Sequence, residues 1–247
     1  MRWARTNCSL SLILLLALLS ACTERKRRTS SYSSPADPAR PDRTAALRKY
    51  AQVDGALKRK DYDLAIALLD EAIRLGPDDA EAYRVRAFAH HGKRAFAKAI
   101  ADYDECISLN PTGAANYADR AVVYCDMRQY DKATADCDQA IRLDPKSGTA
   151  YWGRGRAYHD KGEDDNAIAD YDRAIRLEPR RAVFYARRAQ AYGALGENRK
   201  AIDDLGQAIR LEPNRPFLYE YRAAAYRAVG EPAKAAGDEQ RAQELKK

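Results

Sequence analysis

The sequence predicts an all-α solenoid, a row of similar helical hairpins stacked side by side. Three observations predict it. Prolines stand at 77, 111, 145, 179 and 213, a constant interval of 34 residues. Ala65, Ala99, Ala133, Ala167, Ala201 and Ala235 recur at the same interval. Tyrosine, 16 of the 247 residues against four Phe and two Trp, falls in two further columns of that period. Self-similarity at a fixed period of this size marks a repeat architecture.

Counting from the prolines divides the chain into six units: 46–79, 80–113, 114–147, 148–181, 182–215 and 216–247. The fourth position of a unit is Tyr83, Tyr117, Tyr151, Tyr185 or Tyr219, and the eighth is the small Ala87, Ala121, Gly155, Ala189 or Ala223. The eleventh is Tyr124, Tyr158, Tyr192 or Tyr226, with His90 in the second unit. These three positions share one face of a helix, and positions 20, 24 and 27 share one face of a second. Small residues at 8 and 20 let two antiparallel backbones approach, and the tyrosines fill the space beside them. A short turn near Gly162 or Gly196 joins the two helices. Proline ends the second helix, because it lacks the N–H and clashes with the preceding turn. One such hairpin cannot bury its apolar face alone, so the units must stack.

These residues resemble the tetratricopeptide repeat, over residues 46–247. The resemblance implies a right-handed superhelical α-solenoid of six antiparallel helix-turn-helix units. It also implies that the first helices line a concave groove that holds extended or helical peptides. At the groove positions stand Arg84, Phe88 and His91, then Val122, then Trp152, Arg156 and His159, then Gln190. Phe88 and Trp152, flanked by Arg and His, resemble the aromatic anchors of interfaces; packing of their ring edges on neighbouring helices is the other reading. The Lys, Asn and Arg clamp by which some members hold a chaperone's terminal carboxylate is absent, with Tyr50 and Asp54 where its first Lys and Asn would be.

A second pair of columns is charged. Arg86, Arg120, Arg154, Arg188 and Arg222 occupy position 7, and Asp102, Asp136, Asp170, Asp204 and Asp238 occupy position 23. The first unit has Gln52 and Leu68 there and so lacks both charges. Loss of both together predicts interhelical ion pairs that fix the stacking register rather than adding much net stability. The end units differ from the rest: Lys49 and Ala56 replace the tyrosines of the first, and Glu239 takes a normally apolar position of the last. Both end units read as caps with a polar outer face, and with no extra solvating helix after the last the C-terminal unit is a candidate homodimer contact.

The first 44 residues read as an address and a tether. Arg2 and Arg5 precede an apolar run from Leu10 to Leu19, too short to span a bilayer, and small residues follow. Leu19, Ser20, Ala21 and Cys22 resemble the lipobox of bacterial lipoproteins. The resemblance implies a leader over 1–21, removed before a lipidated Cys22. Thr23 in place of Asp implies the outer membrane, facing the periplasm, in a Gram-negative host. Residues 22–44 are rich in Ser, Pro and Arg without apolar periodicity, which predicts a linker. Its run Arg25–Arg28 reads either as resting on anionic headgroups or as merely solvated.

The formal charge is +7. Leader and linker carry a surplus of five, which leaves two for residues 45–247 and speaks against a nucleic-acid footprint. His90, His91 and His159 do not converge as a zinc site requires. Cys106, Cys125 and Cys137 read as buried thiols, with a Cys125–Cys137 disulfide the alternative in an oxidising compartment. No nucleophile–base pair, phosphate loop or cofactor motif is present, so the expectation is no enzyme, no cofactor and no metal. The sequence thus predicts a tethered adaptor for envelope proteins or peptides, such as cell-wall enzymes or secretion or pilus components. A self-associating assembly subunit is the alternative, and an enzyme accessory domain a third.

Overall fold

A computed structural model describes residues 43–246, with side chains from residue 50 onward. The leader, Cys22 and the linker up to residue 42 lie outside the described residues. Twelve helices and no strand occur among the described residues: α1 (Arg43–Lys58), α2 (Tyr62–Leu75), α3 (Ala80–Gly92), α4 (Phe96–Leu109), α5 (Ala114–Asp126), α6 (Tyr130–Leu143), α7 (Gly148–Lys161), α8 (Asp164–Leu177), α9 (Ala182–Ala194), α10 (Asn198–Leu211), α11 (Pro216–Ala228) and α12 (Pro232–Glu244). The all-α solenoid fold holds. Residues 43 and 44, read as linker, belong to the first helix.

The described chain forms two compact bodies, one ending at Ala95 and one beginning at Phe96. In the first, α2 packs against both α1 and α3 around Val53, Leu57, Ala65, Leu69, Val85 and Phe88. In the second, each helix from α4 onward packs on the next, and the first helices of successive hairpins also meet, α5 with α7 and α7 with α9.

The columns read from sequence explain this packing. Ala65, Ala99, Ala133, Ala167, Ala201 and Ala235 are all sealed from solvent. At Gly155 an added Cβ would lie 2.9 Å from the Tyr171 ring and 3.1 Å from the Ala167 carbonyl oxygen, so helices α7 and α8 touch backbone to side chain there. The second helices stop at Leu75, Leu109, Leu143, Leu177 and Leu211, two residues before each proline. In the second body the next tyrosine then ties that turn down: Tyr117, Tyr185 and Tyr219 donate their hydroxyls to the carbonyls of Pro111, Pro179 and Pro213, at 3.2, 3.1 and 2.9 Å.

The turn inside every hairpin is the same left-handed cap. Lys60, Arg94, Arg128, Gly162, Gly196 and Gly230 all have positive φ, between 58° and 88°. The following residue donates back to the end of the first helix, as Gln129 does to the Tyr124 carbonyl at 2.8 Å and Glu163 to Tyr158 at 2.8 Å. Only the last three units place glycine there, where a side chain otherwise costs about 1–2 kcal/mol. Arg128→Gly should therefore raise stability by up to about 1 kcal/mol, read as a higher urea midpoint with an unchanged slope.

Candidate protein-binding face

The position-7 arginines are built into the frame. In α7, Arg154 grips Asp170 of α8 with two hydrogen bonds, Nε to Oδ2 at 2.8 Å and Nη2 to Oδ1 at 2.7 Å. Its third nitrogen reaches Asp138 of the preceding hairpin at 2.6 Å. The same fork joins Arg120 to Asp136 and Asp104, and Arg188 to Asp204 and Asp172. Arg222 holds Asp238 alone, because the residue matching Asp172 one unit later is Gly206. In the first body Arg86 donates to Asp70 at 2.6 Å, while Asp102 lies buried in the second. The tyrosine columns flank these guanidiniums: Arg120 stands 5.8 Å from the ring centres of both Tyr117 and Tyr124, and Arg222 equally from Tyr219 and Tyr226. The tyrosines, Tyr219 buried and the others half-buried, are thus walls around a charge as well as space-fillers.

Of the two readings of Phe88 and Trp152, the structure shows the second, with both rings packed inside rather than presented as anchors. Phe88 is 7% exposed and Trp152 5%. Phe88 belongs to the core of the first body. The Trp152 ring lies 6.4 Å from Phe184 of the next first helix, tilted by 30°. Close approach of α7 and α9 covers the residue that would otherwise face outward. Three polar residues of the expected groove are buried as well. Arg84 turns onto Glu81 at 2.8 and 3.0 Å, His91 is buried in the same body, and Arg156 donates to Asp126 of α5. Val122, His159 and Gln190 are half-buried and keep part of their surface. His159 Nδ1 meets Asp164 at 2.5 Å, and Gln190 accepts from Arg187 at 2.9 Å.

Arg187 and Tyr171 belong to this neighbourhood too. Neither stood out in the sequence, because Tyr171 occupies an apolar core column and Arg187 neighbours the regular Arg188. Cys106, Cys125 and Cys137 are buried thiols, and burial pushes Cys125 up to about 12. Among the described residues no three His, Cys, Asp or Glu converge as a metal site, and no helix is long and apolar enough to cross a membrane.

Comparison with known proteins gives the frame a family. Models described as tetratricopeptide repeat match residues 50–114, 114–147 and 182–215, and one described as TPR repeat matches 155–196. No curated protein sequence matches the chain. Among solved structures, MamA is 25% identical with a TM-score of 0.57, over 65% of this chain and 94% of that one. PilW, described as a widely conserved type IV pilus biogenesis factor, is 18% identical with a TM-score of 0.73, over 81% and 93%. A tetratricopeptide repeat protein from Parabacteroides merdae is 20% identical with a TM-score of 0.68, over 95% and 86%.

Proposed function

Because the chain belongs to the tetratricopeptide-repeat family, we propose that it is a protein-binding adaptor tethered by a lipidated Cys22 in the bacterial cell envelope, at the outer membrane and facing the periplasm. One observation carries the binding reading. The first helices α5, α7 and α9 pack side by side on an unchanging frame, yet their ninth position is Val122, then Arg156, then Gln190, and their twelfth is Cys125, then His159, then Gly193. A constant frame with a variable face suits recognition of another chain, since stability and specificity then rest on separate residues. The tether reading rests on Leu19, Ser20, Ala21 and Cys22 at the end of an apolar run. Several acyl chains together hold a protein durably where one does not. PilW carries the same fold; at its identity the likeness reaches the fold only, and the partner of this chain is set by its own face.

Two measurements test this reading. Cells fed labelled palmitate should incorporate it into the native protein, and Cys22→Ala should abolish the label and release the protein from the membrane fraction. Crosslinking in the native envelope should capture a defined set of proteins. Capture should fall on the order of tenfold in Val122→Arg and Gln190→Glu, with the helix content and thermal midpoint unchanged, since each change lies on a half-exposed position. Undiminished capture in both variants, or self-association alone, would replace the adaptor with an assembly subunit.

A further inference from the structure

In the first body the turns inside the two hairpins lie side by side and make a basic edge. Tyr62 at the start of α2 packs on Gly92 at the end of α3, where an added Cβ would meet its ring at 2.5 Å, and Lys93 donates to Asp63. Lys58, Arg59, Lys60, Lys93 and Arg94 are all exposed there. Three carboxylates share the edge. Asp54 pairs with Lys58, Asp61 caps α2 by accepting from the Leu64 N–H, and Asp63 holds Lys93 while itself 81% exposed. Arg59 and Lys60 pair with no carboxylate among the described residues. Positive charge is therefore in surplus on this edge. Among these cations Leu64 leaves 41% of its surface to solvent, which few large apolar side chains here do.

The backbone of the edge shows that the cations are held there at a cost. Lys60 and Arg94 have φ of 59° and 60°, the left-handed region, where the last hairpins carry Gly196 and Gly230. Asn and Asp tolerate that conformation better than other side chains. The chain uses neither, and every side chain it places at this turn is basic: Lys60, Arg94 and Arg128. The carboxylates Asp78, Asp79 and Glu81 lie beyond the other end of α2, so the first body is polarised along its helices rather than basic throughout.

We infer that the edge formed by Arg59, Lys60, Lys93 and Arg94 around Leu64 docks on an anionic lipid surface. Lipid phosphates would meet the cations, competing for Lys93 with a well-hydrated carboxylate, and Leu64 would enter the headgroup layer. The inference rests on the tether reading of Cys22 and gives the tethered body an orientation. The covalent reach is sufficient. Residues 22–42 can extend to at most about 70 Å, and α1, whose 16 residues run from the tether to the edge, is about 24 Å long.

The test uses the lipidated full chain carrying Leu64→Trp, in vesicles whose brominated acyl chains quench any tryptophan that reaches them. The chain without that substitution, whose Trp152 is buried, sets the background. Phosphatidylethanolamine vesicles with about a quarter phosphatidylglycerol should quench the added tryptophan, and vesicles with phosphatidylcholine in its place should not. Salt at about 1 M should relieve the quenching, because it screens charges beyond about 3 Å. Lys60→Glu with Arg94→Glu should abolish the quenching while the protein still pellets with the vesicles. Lys60→Gly with Arg94→Gly should weaken docking about fivefold per charge and yet raise the urea midpoint, a split that a structural role for these side chains does not produce. Equal quenching in both kinds of vesicle, no quenching of a chain that carries its lipid, or full quenching in the Glu variant would overturn the edge and leave the tether standing. Cys22 found without lipid sinks the tether instead. The Cys22→Ala chain then tests the edge alone, which is upheld by sedimentation with the anionic vesicles only and overturned by sedimentation with neither kind or with both.

Discussion

Asp170→Ala should cost the protein about 3 kcal/mol, and adding Arg154→Met to it should recover most of that loss. Asp170 is 6% exposed and accepts two hydrogen bonds from a guanidinium that is itself three-quarters covered. Removing the carboxylate alone leaves Arg154 among Tyr151, the helix backbone and one remaining carboxylate, with two of its donors unmet. Removing both charges restores a neutral contact, since methionine keeps much of the stem packing that arginine provides. The hydrogen bonds to Asp170 hold the Arg154 guanidinium above its already high ordinary value, so the arginine keeps its charge in every variant compared. Urea unfolding of the two single variants and the double gives the coupling directly, expected near 2 kcal/mol. The same cycle between Arg154 and Asp138 should return well under 1 kcal/mol, because Asp138 is 42% exposed and water competes for it. Additive effects in the first cycle would show that the two columns are neighbours without being partners.

The frame was legible because it repeats. A single Arg or Ala says little, but the same residue at one position of five or six units states its environment several times over. The Arg column and the Asp column 16 residues apart announced a pair, and four such pairs lie in the second body. The second carboxylate of each fork, Asp104, Asp138 or Asp172, went unread. It reaches backward to the preceding hairpin, and sequence periodicity does not say which neighbour a side chain faces. The binding face was less legible for a related reason. Trp152 and Arg156 break the repeat, which is why they stood out, but breaking the pattern does not reveal exposure. That depends on Phe184, one hairpin later, which covers the Trp152 ring. Arg187 and Tyr171 were hidden by their columns, since a Tyr in a core position looks satisfied until its hydroxyl is found with no acceptor.

Gly155→Ala should destabilise the fourth hairpin by about 2 kcal/mol even though alanine is the better helix former by about 1 kcal/mol. The new methyl would meet Tyr171 Cε1 at 2.9 Å and the Ala167 carbonyl oxygen at 3.1 Å. The ring is sealed on all sides and the carbonyl belongs to the facing helix, so α7 and α8 must part rather than a loose side chain swing away. The third and fifth units show the permitted alternative. There alanine fills this position, as Ala121 and Ala189, and each shares a core with a residue smaller than tyrosine, Cys137 or Leu205. Tyr171→Leu should therefore cost less in the Gly155→Ala background than in the native chain, with a coupling of about 1 kcal/mol or more. Hydrogen exchange locates the effect. Amides of α7 and α8 should lose protection in Gly155→Ala, while those of α12 keep theirs, because each hairpin of a stacked array contacts only its neighbours. Uniform loss from end to end would mean that the second body opens as one unit, and unchanged protection in α7 and α8 would show that the two helices are not held by the contact at Gly155.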